Sequence, residues 1–230
     1  MKNILFATLL FASCTFCDAQ DIKALKNTGN LHQENCTFLT VGRNAYFILE
    51  PGYQTVYSGK KGKDSLGLVI TVLNDTVTIG SVITRVVEEK ETVNGKYIEI
   101  SRNYFAFCKE SNSVYYFGED VDIYKNGKAI RGKDSWKAEG NNKAGIVMPG
   151  KIVIGNKYFE EYAPGIAMDR SEIISISDTI NTIAGFFVNC LKTKETTPLN
   201  LLEKEFKIYA PGIGMIKEED LILVKYGFIK

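Results

Sequence analysis

The chain has 230 residues with 28 Lys and Arg against 27 Asp and Glu, a formal net charge of +1, one His, five Cys, and five Pro, four of them followed directly by Gly. A balance this close to neutral, with no concentrated basic face, argues against a nucleic-acid or anionic-lipid binder. With 45% hydrophobic and 24% charged residues, including 13 Phe and 12 Tyr, the chain can bury a proper core and is neither disordered nor fibrous.

The N-terminus reads as a secretory signal over residues 1–19. Lys2 supplies the positive start, Ile4 to Phe16 is an apolar run, and Cys17-Asp18-Ala19 places small residues at the cleavage-recognition positions before Gln20. The alternative is cleavage before Cys14 in Phe11-Ala12-Ser13-Cys14, a lipoprotein-like box that would leave a lipid anchor on Cys14. Either route takes the protein out of the cytoplasm, to a periplasmic or extracellular location. The apolar run has 13 residues, short of the roughly 20 of a spanning helix, so no transmembrane segment is expected. Residues 20–45 read as a polar linker or strap, and residues 46–230 as a single β-rich domain.

From Tyr46 the hydrophobic period is two. Leu66 to Leu73, Val77 to Val87, Lys96 to Cys108, Val114 to Asp120, Ser171 to Ile183, Phe186 to Thr196, Glu205 to Ala210 and Leu221 to Ile229 are rich in Val, Ile, Thr, Tyr and Phe and are separated by turn residues. No window of helical length keeps a 3.6 period. The expected fold is all-β and mainly antiparallel: a curved sheet, half-barrel or barrel-like meander.

The turns carry the most explicit signals. Asn94-Gly95 and Asn126-Gly127 each supply the two positive-φ positions of a tight hairpin. In the first, a two-residue loop would set Glu91 opposite Ile98 and Glu89 opposite Ile100, mixing charge and apolar surface, so a bulge is expected in that ladder. Pro51-Gly52, Pro149-Gly150, Pro164-Gly165 and Pro211-Gly212 each suit a type II turn. Two of them lie in a near-duplicate, Tyr162-Ala163-Pro164-Gly165-Ile166-Ala167-Met168 and Tyr209-Ala210-Pro211-Gly212-Ile213-Gly214-Met215, which predicts one strand-turn-strand corner used twice.

If the signal is cleaved at Ala19, Cys36, Cys108 and Cys190 remain, and an odd number leaves one thiol over. Cys108 and Cys190 sit in apolar, strand-like runs and read as buried free thiols, with a Cys108–Cys190 bridge as the alternative.

Several segments in order resemble a family of uncharacterised exported bacterial proteins. They are Tyr46-Phe47-Ile48-Leu49-Glu50-Pro51-Gly52 with Tyr57; Val114-Tyr115-Tyr116-Phe117-Gly118-Glu119-Asp120 with Tyr124 and Asn126-Gly127-Lys128; Ser135-Trp136-Lys137-Ala138; Ala144-Gly145-Ile146-Val147-Met148-Pro149; Glu161-Tyr162-Ala163-Pro164-Gly165; Cys190-Leu191-Lys192-Thr193-Lys194-Glu195 with Thr197-Pro198-Leu199; and Tyr209-Ala210-Pro211-Gly212-Ile213-Gly214. The resemblance spans Tyr46 to Glu218 and departs at Ala144-Gly145, where members often read Pro-Gly. It implies an exported β-rich protein and brings no catalytic residue with it.

Candidate chemistry is sparse. The single His32 leaves a Ser-His-Asp triad or a His-rich zinc site to be built around one residue in the strap. Gly127 to Lys133 and Gly145 to Lys151 mimic a phosphate loop but lack its Ser/Thr and its strand-helix context. No cofactor motif is present. Glu119, Asp120 and Asp122 form the densest oxygen-rich group, the first place to look for a cation, although the calcium-loop template fails at Lys125 and Arg131. Asp169 with Glu172, and Glu218, Glu219 and Asp220, read as solvated loops.

Aromatic runs set rings on both faces of their strands; the plainer reading is that all of them build the core, and the other is that one face builds the core while the second lines a cavity or groove. The cavity reading points to Phe105, Phe107, Tyr115, Phe117, Tyr158 and Tyr162 as ligand-binding residues. The leading expectation is an exported, non-enzymatic β-sheet protein that binds an apolar ligand or an envelope partner. The alternatives are a carboxylate-dependent polysaccharide hydrolase using Glu119, Asp120 or Asp169, and a structural surface module.

Overall fold

The computed structural model describes residues 36–229, and among them all regular structure is β-strand. The signal segment with its Ala19 and Cys14 alternatives, and the strap up to residue 35 with His32, lie outside the described residues. Strand pairing begins earlier than the sequence leads one to expect, with β1 (Phe38–Leu39), β2 (Gly42–Asn44) and β3 (Phe47–Leu49). β2 and β3 form a small hairpin of their own.

A first meander follows: β4 (Tyr53–Lys61), β5 (Asp64–Ile79), β6 (Val82–Val93), β7 (Lys96–Cys108) and β8 (Val114–Lys125), each paired antiparallel with the next. The far edge of β8 is covered in three stretches by β9 (Lys128–Arg131), β10 (Trp136–Lys137) and β11 (Lys143–Met148). After β12 (Lys157–Phe159) and β13 (Glu161–Tyr162) comes a second meander, β14 (Arg170–Thr182), β15 (Gly185–Thr197), β16 (Asn200–Ala210), β17 (Gly214–Glu218) and β18 (Leu221–Phe228). β18 pairs with β4 and joins the two meanders into one antiparallel sheet, nearly closed and barrel-shaped.

The closure rests on six residues. β12 pairs with β14 at one edge and β13 pairs with β11 at the other, so the segment from Lys157 to Tyr162 ties both edges together. There the backbones are so close that a Cβ on Gly145 would lie 2.3 Å from the carbonyl oxygen of Glu160. Only glycine permits that approach.

The turn chemistry holds at most positions. Asn94 and Gly95 (φ 51° and 74°) and Asn126 and Gly127 (φ 51° and 75°) form two-residue hairpin tips, with Val93 opposite Lys96 and Lys125 opposite Lys128. The bulge expected in the first hairpin lies between Glu91 and Thr92; it moves Glu89 opposite Ser101 and sets Lys90, in place of Glu89, opposite Ile100. The two Tyr-Ala-Pro-Gly corners share one geometry, pairing Ala163 with Ala167 and Ala210 with Gly214.

Two turn readings are corrected. Gly52, Gly165 and Gly212 have positive φ but Gly150 does not; glycine is needed there because a Cβ would collide with the carbonyl oxygen of Ser111. Asn74-Asp75 is a bulge within one long β5, and the tight turn sits at Gly80 (φ 58°), so the expected strand Val77 to Val87 is split between β5 and β6. A strand of 16 residues cannot stay straight around a small barrel, and bulges supply the bend.

The cysteine reading is also corrected. Cys36 and Cys108 form a disulfide, while Cys190 is the free thiol among the described residues and is buried. The bridge fastens the N-terminal segment to the end of β7, where Phe38 of β1 pairs opposite Cys108. β1 thereby covers the outer face of β8: the Phe38 ring meets Tyr115 and Phe117 edge-on at 5.3 and 5.2 Å. Covering those rings is the physical reason this stretch pairs as a strand.

Candidate functional site

Strand alternation turns pairs of residues two apart into the barrel: Thr55 and Tyr57 of β4, Ile70 and Val72 of β5, Val87 and Glu89 of β6, Asn103 and Phe105 of β7, Lys207 and Tyr209 of β16. With Tyr116 of β8 they line a partly open cavity of about 120 Å³. Phe47 and Ile48 of β3 complete its wall, so the β2–β3 hairpin acts as a cap. The cap is hydrogen-bonded to two Pro-Gly turns. The Gly212 N–H donates to Ala45 O at 2.7 Å, and Asn44 Nδ2 donates to Pro149 O at 3.0 Å and Asn112 O at 2.7 Å.

One wall is aromatic. The Phe47 and Phe105 rings meet edge-on at 5.3 Å, and Phe105 lies against Tyr116 at 4.7 Å. The Tyr116 hydroxyl donates to Asn103 Oδ1 at 2.5 Å, which orients the amide, and Asn103 Nδ2 in turn donates to Ser101 Oγ at 3.1 Å. Tyr53 and Tyr57 donate to the carbonyls of Ile213 and Met215, at 2.8 and 2.9 Å, and so hold the second Tyr-Ala-Pro-Gly corner against the cavity.

Another part of the lining is acidic and lies close to Tyr116. Among the described residues, Glu89, Glu160 and Glu161 line it with one cation, Lys207. The Lys207 ammonium is already engaged, 2.5 Å from Glu195 and 3.5 Å from Glu218. Burial pulls its pKa down, but Glu195 and Glu218 more than offset this and hold it well above the usual range. Burial, with Glu218 next, pushes the Glu89 carboxyl up to about 7. Burial and then Glu195 push Glu160 well above the ordinary carboxylate range. Glu89 is 8% exposed, and its Oε2 has no hydrogen-bond partner. A buried carboxylate oxygen left unpaired is costly, so it marks a point where a donor or cation would be welcome.

Of the six aromatic residues singled out from sequence, only Phe105 lines this cavity. Phe107 is buried against Gly42 of the cap hairpin. Tyr115 and Phe117 lie on the outer face beneath Phe38, because a register shift between Asn103 and Phe105 turns Tyr116 inward instead. Tyr158 is fully buried opposite Ser171, and Tyr162 packs on Phe159 outside the cavity.

The candidate cation group is not brought together. Glu119 is buried, while Asp120 accepts from the Tyr104 hydroxyl at 2.8 Å and faces Arg131 at 3.6 Å and Lys137 at 3.8 Å. Asp122 faces Arg102 at 3.3 Å and Arg131 at 3.4 Å. These cations already supply the charge a metal ion would bring. Among the described residues, the group with metal-ligand spacing is Cys36, Cys108 and Glu110, and its two cysteines are spent in the disulfide.

The acidic wall was not foreseen, and Glu218, expected on a solvated loop, is buried beside Lys207. Strand periodicity offered a weak signal: Glu89 and Lys207 each share a face with one apolar neighbour two residues away, Val87 and Tyr209, whereas Glu195 lies between Thr193 and Thr197. Consecutive pairs such as Glu88-Glu89 conceal which member points inward. Comparison with known proteins finds no matching family model, no similar curated protein and no similar solved structure.

Proposed function

We propose that the chain is an exported binding protein that holds a small, largely apolar ligand inside the barrel and performs no chemistry on it. The observation that carries this reading is the capped cavity of about 120 Å³ walled by Phe47, Phe105 and Tyr116. The volume is of the same order as the roughly 150 Å³ apolar cavity that takes up benzene or xenon, which limits the ligand to about one ring or a short chain. The signal-like N-terminus and the Cys36–Cys108 bridge fit an oxidising, extracytoplasmic setting.

A hydrolase acting on polysaccharide needs two carboxylates across a cleft open enough for sugars on both sides of the scissile bond. Asp120 is engaged with Arg131 and Lys137, and the cavity is too small to admit such a chain. A surface module has one observation in its favour: Leu201 and Leu202, near the β15–β16 turn, are 82% and 92% exposed.

Native mass spectrometry of the purified protein, followed by pressurisation with xenon or titration with benzene monitored by NMR, tests the binding reading. The expected result is a co-purified small molecule or probe-induced shifts at Phe47, Phe105 and Tyr116. A ligand-free protein that takes up neither probe overturns it.

A further inference from the structure

The cavity pairs two features that a purely apolar ligand would not require. The aromatic rings of Phe47, Phe105 and Tyr116 share the lining with three buried carboxyl groups, Glu89, Glu160 and Glu161. The one cation among the described lining residues, Lys207, is held by Glu195 and Glu218. Glu89 Oε2 is left without a donor inside this space. Resting on the binding reading above, we infer that the ligand is a small organic cation, an ammonium carried on one ring or a short alkyl chain, with its charge at Glu89 and its apolar body against the aromatic rings.

The physical basis is twofold. A desolvated ammonium is stabilised by a carboxylate that would otherwise be buried unpaired. Aromatic faces add a further favourable interaction with a cation, strongest where water is excluded. A divalent metal ion is a poorer match, because the interior carboxylates do not form a group of three with their oxygens within 4.8 Å of one another. An anionic ligand would have to approach Glu89, Glu160 and Glu161 with Lys207 already neutralised. Burial, with Glu218 next, raises the Glu89 carboxyl to about 7, with Lys207 opposing and Glu119 adding to the shift, so an arriving cation meets the carboxylate above that pH and must displace its proton below it.

The test uses three probes of similar size, benzylammonium, toluene and benzoate, titrated into the full-length protein by calorimetry at about pH 8, where an amine is charged and Glu89 is ionised. Benzylammonium is expected to bind at least about tenfold more tightly than toluene, a difference of about 1.4 kcal/mol, with benzoate not binding. Glu89→Gln should erase the preference for the ammonium while leaving toluene affinity unchanged, and toluene binding then also reports that the variant keeps its cavity. Toluene binding as well as or better than benzylammonium, or a preference that survives Glu89→Gln, overturns the cation assignment and leaves the binding reading standing. Failure of all three probes overturns both.

Discussion

Glu89 makes the interior sensitive to pH. In the unfolded chain a Glu ionises near 4.5, whereas burial raises this one to about 7 in the folded protein, so the folded state holds its proton more tightly. The stability linked to that proton is fully present below about pH 4.5 and is lost as pH rises through 7. Glu205, also raised to about 7 by burial, acts in the same direction. Thermal melts at fixed ionic strength should therefore show a higher Tm at pH 5 than at pH 8. Glu89→Gln should raise Tm at pH 8 and flatten the slope; a slope unchanged by the substitution would count against the buried placement.

A second residue-scale consequence concerns the disulfide. Cys36 and Cys108 are 72 residues apart, and closing a loop of that length restricts the unfolded chain by about 4 kcal/mol on the loop-entropy account. Cys36→Ser, or reduction of the wild type, should lower stability by about 2–4 kcal/mol in denaturant unfolding. Cys190→Ser should leave the response to reductant unchanged, since that thiol is buried and unpaired.

Among the elements, the hairpin tips were the most legible because their residues are set by local backbone geometry. Asn-Gly positions require only that both central φ angles be positive. The repeated Tyr-Ala-Pro-Gly corner was likewise readable as one geometry used twice. Its use was not: the second copy presents Ile213 and Met215 to Tyr53 and Tyr57 at the cavity and holds Ala45 of the cap, whereas the first follows the closing segment. The Asn74-Asp75 bulge looked like a turn because polar residues with turn propensity serve both purposes.

The face assignments failed for a related reason. A bulge shifts strand parity by one, so Tyr116 rather than Tyr115 and Phe117 points into the barrel. No local signal in the aromatic run Tyr115-Tyr116-Phe117 distinguishes these outcomes.

At the scale of the whole molecule, the barrel depends on the Lys157 to Tyr162 segment reaching both sheet edges at once. Gly145→Ala places a methyl group 2.3 Å from a backbone oxygen of that segment, a clash that side-chain motion cannot relieve. The expected result is a loss of about 2 kcal/mol or more in stability, together with faster amide exchange at β11 and β13. Wild-type exchange rates in the variant would show that closure does not depend on this contact.

The all-β class, the hairpin tips and the repeated corner follow from the sequence alone, because period-two patterning and turn chemistry act over a few residues. So does the odd thiol count, by simple arithmetic. Tertiary structure alone decided which cysteine was left over, where β1 docks, which aromatic rings face inward, and that Glu89, Glu195, Lys207 and Glu218 share one interior. Those outcomes depend on bulges and on the meeting of strands far apart in the chain. A one-residue shift in any of these strands would exchange the buried charge for a solvated one.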